Sequence, residues 1–126
     1  MINHDLHFND FWHKKPFPHC VIDNFWHPDI ARDILTEMSH IDYNGNYDNP
    51  FEVKQTCNIW DRFPATIYQA FIYLSTPEFV TELRQKLDIH ILIADHGVHG
   101  GGIHYHPAGG KLNPHIDYSQ HPKQGF

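Results

Sequence analysis

Gly100-Gly101-Gly102-Ile103-His104-Tyr105-His106-Pro107-Ala108-Gly109-Gly110-Lys111-Leu112-Asn113-Pro114-His115-Ile116-Asp117 is the stretch on which the reading of this chain turns. It holds two alternating runs, residues 102–106 and 111–117, joined by Pro-Ala-Gly-Gly. Alternation bounded by Pro and Gly predicts two β-strands joined as a hairpin. Residues two apart on a strand share a face. His115 and Asp117 are therefore expected to project together, with Leu112, Pro114 and Ile116 on the opposite side. An imidazole beside a carboxylate on a strand supplies two members of a 2-His-1-carboxylate set, which binds Fe(II) and leaves coordination positions open.

The segment resembles the Fe(II)/2-oxoglutarate-dependent oxygenases, in particular their prolyl-4-hydroxylase-like branch. The resemblance lies in the turn His106-Pro107-Ala108-Gly109, which leads into His115-Ile116-Asp117. The run Val21-Ile22-Asp23-Asn24-Phe25-Trp26-His27-Pro28-Asp29 is also similar to the start of that branch, where a short strand precedes a helix. The likeness extends from about Val21 to Pro122.

The resemblance implies an α+β fold, with N-terminal helices packed on an antiparallel sheet that forms part of a double-stranded β-helix, or jelly roll. It implies His115 and Asp117 as metal ligands, Fe(II) as the metal, 2-oxoglutarate as cosubstrate and ascorbate as an auxiliary reductant. His106, with Tyr105 beside it, is implied to line the cosubstrate pocket. The reaction implied is hydroxylation of a prolyl or small-molecule substrate, coupled to conversion of 2-oxoglutarate to succinate.

In that family a second metal-binding His, and the Arg or Lys that meets the far carboxylate of 2-oxoglutarate, come from strands further along. The sequence ends at Phe126, before those positions. The expectation is an N-terminal portion of such an enzyme that binds iron weakly and turns over poorly. Unpaired sheet edges would then favour a homo-oligomer. Two other readings stand beside it: a non-catalytic cupin-like module that holds Zn(II) or Ni(II) with help from a neighbouring chain, and an interaction domain with no site.

Composition narrows the classes. With 126 residues, 40% hydrophobic and 14% aromatic, the chain suffices for a single domain with a core. Its net charge of -6 and lack of a basic cluster argue against nucleic acid as a partner. The longest apolar runs are too short to span a membrane, and the N-terminus has no signal-peptide pattern. Cys20 and Cys57 stand apart with no CxxC, so free thiols in a cytoplasmic setting are expected. Small molecules or peptides remain as substrates. Of the 13 histidines, His96, His99, His104, His106, His115 and His121 crowd the C-terminal third. His104 or His106 could substitute as a metal ligand.

The rest of the chain reads in order. Residues 1–18 form an N-terminal arm whose rings pack on the body. Residues 19–25 read as a short strand. Pro28 opens a helix over 28–40, its inner stripe Ile30, Ile34, Leu35 and Met38. Residues 42–63 form a long connection that could carry substrate contacts at Tyr43, Tyr47 and Trp60, and 58–62 could be an edge strand. Helices follow over 64–74 and from Pro77, the second with Ser75 and Glu78 as a capping box. Residues 88–95, with Ile89, Ile91 and Ile93, predict the central strand of the sheet.

Overall fold

The computed structural model describes residues 1–3, 6–99 and 101–116. It is a small α+β protein with three helices and an open antiparallel sheet. The chain forms two compact units, each built from two stretches of sequence: residues 1–39 with 65–94, and residues 40–64 with 95–126. Among the described residues no helix is long and apolar enough to cross a membrane.

The first unit holds the helices: α1 (Pro28–Met38), α2 (Ala65–Leu74) and α3 (Pro77–Leu87). Pro28 and Pro77 each stand in a first turn, where a missing N–H costs no hydrogen bond. On α1, Ile30, Ile34, Glu37 and Met38 are half-buried, while Leu35 is 73% exposed. Glu37, not Leu35, completes the inner stripe, and it does so for a polar reason. Its two carboxylate oxygens accept the backbone N–H groups of Thr66 and Ile67, both at 2.9 Å, and so cap α2. Burial pushes the Glu37 carboxyl upward, but these N–H bonds outweigh it and hold the group below its ordinary value.

The cap of α3 sits one residue later than expected. Thr76, not Ser75, receives the Phe79 N–H on its hydroxyl at 3.3 Å. Leu6, Ile67, Ala70 and Phe79 form the buried core of this unit. An edge-to-face chain of rings, Trp26–Tyr73 and Phe25–Phe79, surrounds Phe79. The N-terminal arm is tied down by an Ile2–Trp26 bridge and by the Trp12 indole N–H, which donates to Leu87 O at 2.8 Å.

Two expected strands are absent from this unit. Residues 19–25 make no ladder, and Asn24 adopts a left-handed conformation (φ 55°) that breaks an extended run. Residues 88–95 also make no ladder. Asp88 turns left-handed at the end of α3, the Ile89 N–H bonds Arg84 O at 3.1 Å, and Arg84 donates to His90 O at 2.7 Å. The backbone of this segment is thus engaged with the helix end. Ile91 and Ile93 are 75% and 52% exposed, not sandwiched.

The second unit is the sheet: β1 (Gly45–Asp48), β2 (Glu52–Cys57), β3 (Ile103–Tyr105) and β4 (Lys111–Leu112). Its central strand is β2, inside the stretch expected to be a connection. β1 and β2 form a hairpin, with Asn49 Oδ1 accepting the N–H groups of Phe51 and Glu52 in the turn. Residues Trp60–Arg62 form a 3-10 turn in place of an edge strand, and the Trp60 indole donates to His96 O at 3.0 Å.

β3 and β4 do not pair with each other. Both lie antiparallel on the edge of β2 opposite β1. From Gln55 to Val53 the strand β2 advances two residues, while its partner advances six, from Tyr105 to Lys111; four extra residues are extruded. They are folded by a Pro107–Gly110 turn, with Gly110 N–H on Pro107 O at 2.7 Å and Gly109 at φ 82°. A positive φ at the third position is what a type II turn requires. The Pro-Ala-Gly-Gly motif therefore makes a large bulge within one interrupted edge strand, not a hairpin. Cys57 and Ile103, opposite one another, are buried with Val98 and Phe63. Cys20 and Cys57 are both free thiols.

Candidate functional site

Alternation along β2 sorts its side chains. Val53, Gln55 and Cys57 share one face; Glu52, Lys54 and Thr56 share the other. Cross-strand register adds Tyr47 opposite Lys54, His104 opposite Thr56 and Leu112 opposite Glu52 to the second face. This face floors a cavity of about 810 Å³, whose further lining includes Asn58, His99, Pro114, His115 and Ile116. A cavity of this size is ample for a small organic ligand.

Lys54 Nζ lies 2.9 Å from Glu52 Oε2, with side chains only 13% and 23% exposed. The ammonium also sits 5.2 Å from the centroid of the Tyr47 ring. His104 is held below its ordinary value, first by burial and then by the Lys54 charge, although a Gly101 backbone bond and Glu52 pull the other way. The protonated form of His104 is thereby disfavoured.

His99 sits on a turn that Asp95 organises. Asp95 accepts the N–H groups of Gly97 (2.9 Å) and His99, and its Oδ1 lies 3.3 Å from His99 Nδ1. A carboxylate on one ring nitrogen fixes the orientation of the imidazole.

His115 lies beyond the end of β4. The ladder reaches Asn113, whose N–H bonds Phe51 O at 3.0 Å, and stops before Pro114, which has no N–H to continue it. The face rule therefore lapses: Pro114, His115 and Ile116 all line the cavity, with Leu112, rather than alternating across a sheet. His115 Nδ1 lies 2.9 Å from Asn113 O. A carbonyl oxygen can only accept, so this contact calls for a proton on Nδ1. That is the tautomer in which a histidine ligates a metal, its other nitrogen held by an outer partner.

The remaining expected site residues divide. Asp117 lies outside the described residues. Tyr105 falls on the strand face opposite His104, its ring 6.0 Å from that of Tyr43. His106 begins the extruded bulge. Neither is among the described residues lining the cavity. Of Tyr43, Tyr47 and Trp60, Tyr47 lines it.

Among the described residues no three His, Cys, Asp or Glu side chains come together to hold an ion. Sequence reasoning missed Glu52, Lys54 and Thr56. Their signal was the alternation of Glu52-Val53-Lys54-Gln55-Thr56-Cys57, masked by its polar content. No protein-family model matches this chain, and no curated protein or solved structure does.

Proposed function

We propose that this cavity is the site of a non-haem Fe(II)/2-oxoglutarate-dependent dioxygenase that hydroxylates a small-molecule or prolyl substrate. In this reading the sheet belongs to a double-stranded β-helix, and His115 with Asp117 would hold the metal. Bound Fe(II) supplies redox chemistry toward O2 that no side chain possesses. The balance is one substrate C–H, one O2 and one 2-oxoglutarate consumed, with one C–OH, one succinate and one CO2 formed.

One observation carries the reading: His115 lines the cavity with Nδ1 2.9 Å from Asn113 O, the outer contact made by a histidine that ligates through Nε2. The chain's own residues give the rest of the site its character. Leu112, Pro114 and Ile116 supply an apolar wall, and Glu52, Lys54 and Thr56 supply a polar floor. Two protein ligands bind a metal modestly; 2-oxoglutarate, chelating through a keto and a carboxylate oxygen, would add two more. Sheet edges at β1 and at β3–β4 make pairing with a second copy the expected mode of oligomer formation.

The test is an anaerobic Fe(II) titration with and without 2-oxoglutarate. Affinity should rise in the presence of 2-oxoglutarate and fall by at least about tenfold in His115→Ala. Equal Fe(II) affinity in the wild type and His115→Ala would remove the proposal.

A further inference from the structure

We propose that Asn44 is a site of spontaneous deamidation, held in check by its reciprocal amide pair with Asn58. Asn44-Gly45 is the chain's one Asn-Gly dipeptide, and Asn44 is solvent-exposed. Glycine least obstructs attack by its own amide nitrogen on the preceding side chain, because it has no Cβ and adopts conformations closed to other residues. The step needs no co-reactant but water. The Gly45 nitrogen bonds to Asn44 Cγ, the Cγ–Nδ2 bond breaks, and Nδ2 leaves as ammonia with the proton that the Gly45 nitrogen gives up. Water then opens the cyclic imide at either carbonyl, giving aspartate or isoaspartate at position 44.

The fold both keeps this dipeptide and restrains it. Gly45 starts β1 opposite Thr56, and a Cβ built there would overlap the Thr56 hydroxyl, so the packing of the sheet favours glycine. Asn44 is anchored through main chain and side chain. Its N–H donates to Thr56 O at 3.0 Å, its Oδ1 accepts the Asn58 N–H at 3.1 Å, and its Nδ2 donates to Asn58 Oδ1 at 3.1 Å. A backbone N–H can only donate, so the side-chain oxygen faces it and the amide nitrogen is left to meet Asn58. Cyclisation requires Asn44 Cγ to turn back onto the Gly45 nitrogen, and so to give up both side-chain bonds. The rate therefore follows local opening at this end of the β1–β2 hairpin.

The product does not restore the pair. A carboxylate at position 44 still accepts the Asn58 N–H but has no N–H to offer Asn58 Oδ1, so two acceptor oxygens face one another. Isoaspartate also lengthens the main chain by a carbon atom just before Gly45 pairs with Thr56. Asn58 lines the cavity, so the change reaches its wall. None of this depends on the dioxygenase reading.

The experiment is peptide mapping by mass spectrometry after incubation of the full chain at mildly alkaline pH, scoring aspartate and isoaspartate at position 44. Conversion should be slow in the folded wild type and about tenfold or more faster in urea. Asn58→Ala removes the acceptor of the Asn44 Nδ2–H and should speed conversion in the folded chain about fivefold. Asn58→Asp keeps that acceptor and should stay near the wild-type rate. Glu37→Ala loosens the helical unit instead and should leave the rate unchanged, which separates loss of the pair from general destabilisation. Comparison of folded and urea-treated wild type keeps the test decisive even if a variant unfolds. An Asn44 that stays an amide in urea, equal rates in folded and denatured wild type, or equal rates in folded Asn58→Ala and wild type would overturn the proposal.

Discussion

Lys54 and Glu52 form an ion pair at 2.9 Å from alternate positions of the central strand, both side chains less than a quarter exposed. Removing one partner leaves the other charge poorly solvated, which costs more than the pair contributes when intact. Lys54→Met should destabilise the fold by about 2 kcal/mol, and the double variant Glu52→Gln/Lys54→Met by less than the sum of the single changes. Denaturant unfolding of the four proteins in the cycle checks this; strict additivity would mean that the pair is not coupled.

His104 should titrate below the ordinary histidine value, because burial and the Lys54 charge both disfavour its protonated form. The unfolded chain then takes up the proton first as pH falls. The stability His104 contributes is present above the ordinary value and is lost as pH falls through the folded one. Proton NMR of the ring signals reads the shift directly, and Lys54→Met should move it upward.

Glu37 belongs to the helical unit. Its carboxylate caps α2 through Thr66 and Ile67, and Glu37→Ala should cost about 1 kcal/mol, as the loss of a helix cap does. The folded group titrates below its ordinary value. Its contribution is therefore full above the ordinary carboxyl range and disappears as pH falls through the lowered value. Thermal melts across acidic pH should show a smaller pH dependence in Glu37→Gln than in the wild type.

Gly102 is required by the approach to β2. Its φ is 120°, and a Cβ built there would meet Cys57 O at 2.5 Å and the Asn58 Cα at 3.2 Å. Both the backbone conformation and the neighbouring main chain oppose a side chain, so Gly102→Ala should destabilise by about 2 kcal/mol in chemical unfolding. By contrast, Gly110 and Gly45 have φ outside that region, and their neighbours set the cost instead.

The helices were legible because their stripes and N-terminal prolines are local signals. Ile30 and Ile34 on α1, and Phe79 on α3, lie on the inner faces that their spacing implies. The sheet was read less well because strand pairing is not local. Ile89, Ile91 and Ile93 have strong β propensity, yet the end of α3 engages their backbone first. Glu52 to Cys57 looks like a polar connection, and only pairing on both edges makes it the central strand. The Pro-Ala-Gly-Gly turn was identified, but whether it closes a hairpin or a bulge depends on the partner strand. His115 lines the cavity, although Pro114 ends the ladder that was expected to carry it there.

In the proposed site His115 would bind the metal through Nε2. Nitrogen-15 NMR of the histidine-labelled chain, with and without Zn(II) as a redox-silent stand-in for Fe(II), tests it most directly. The His115 ring should carry its proton on Nδ1 before metal is added, and the Nε2 signal should then move as metal binds. A proton on Nε2 in the metal-free chain, or a His115 signal that Zn(II) leaves unchanged, would contradict it.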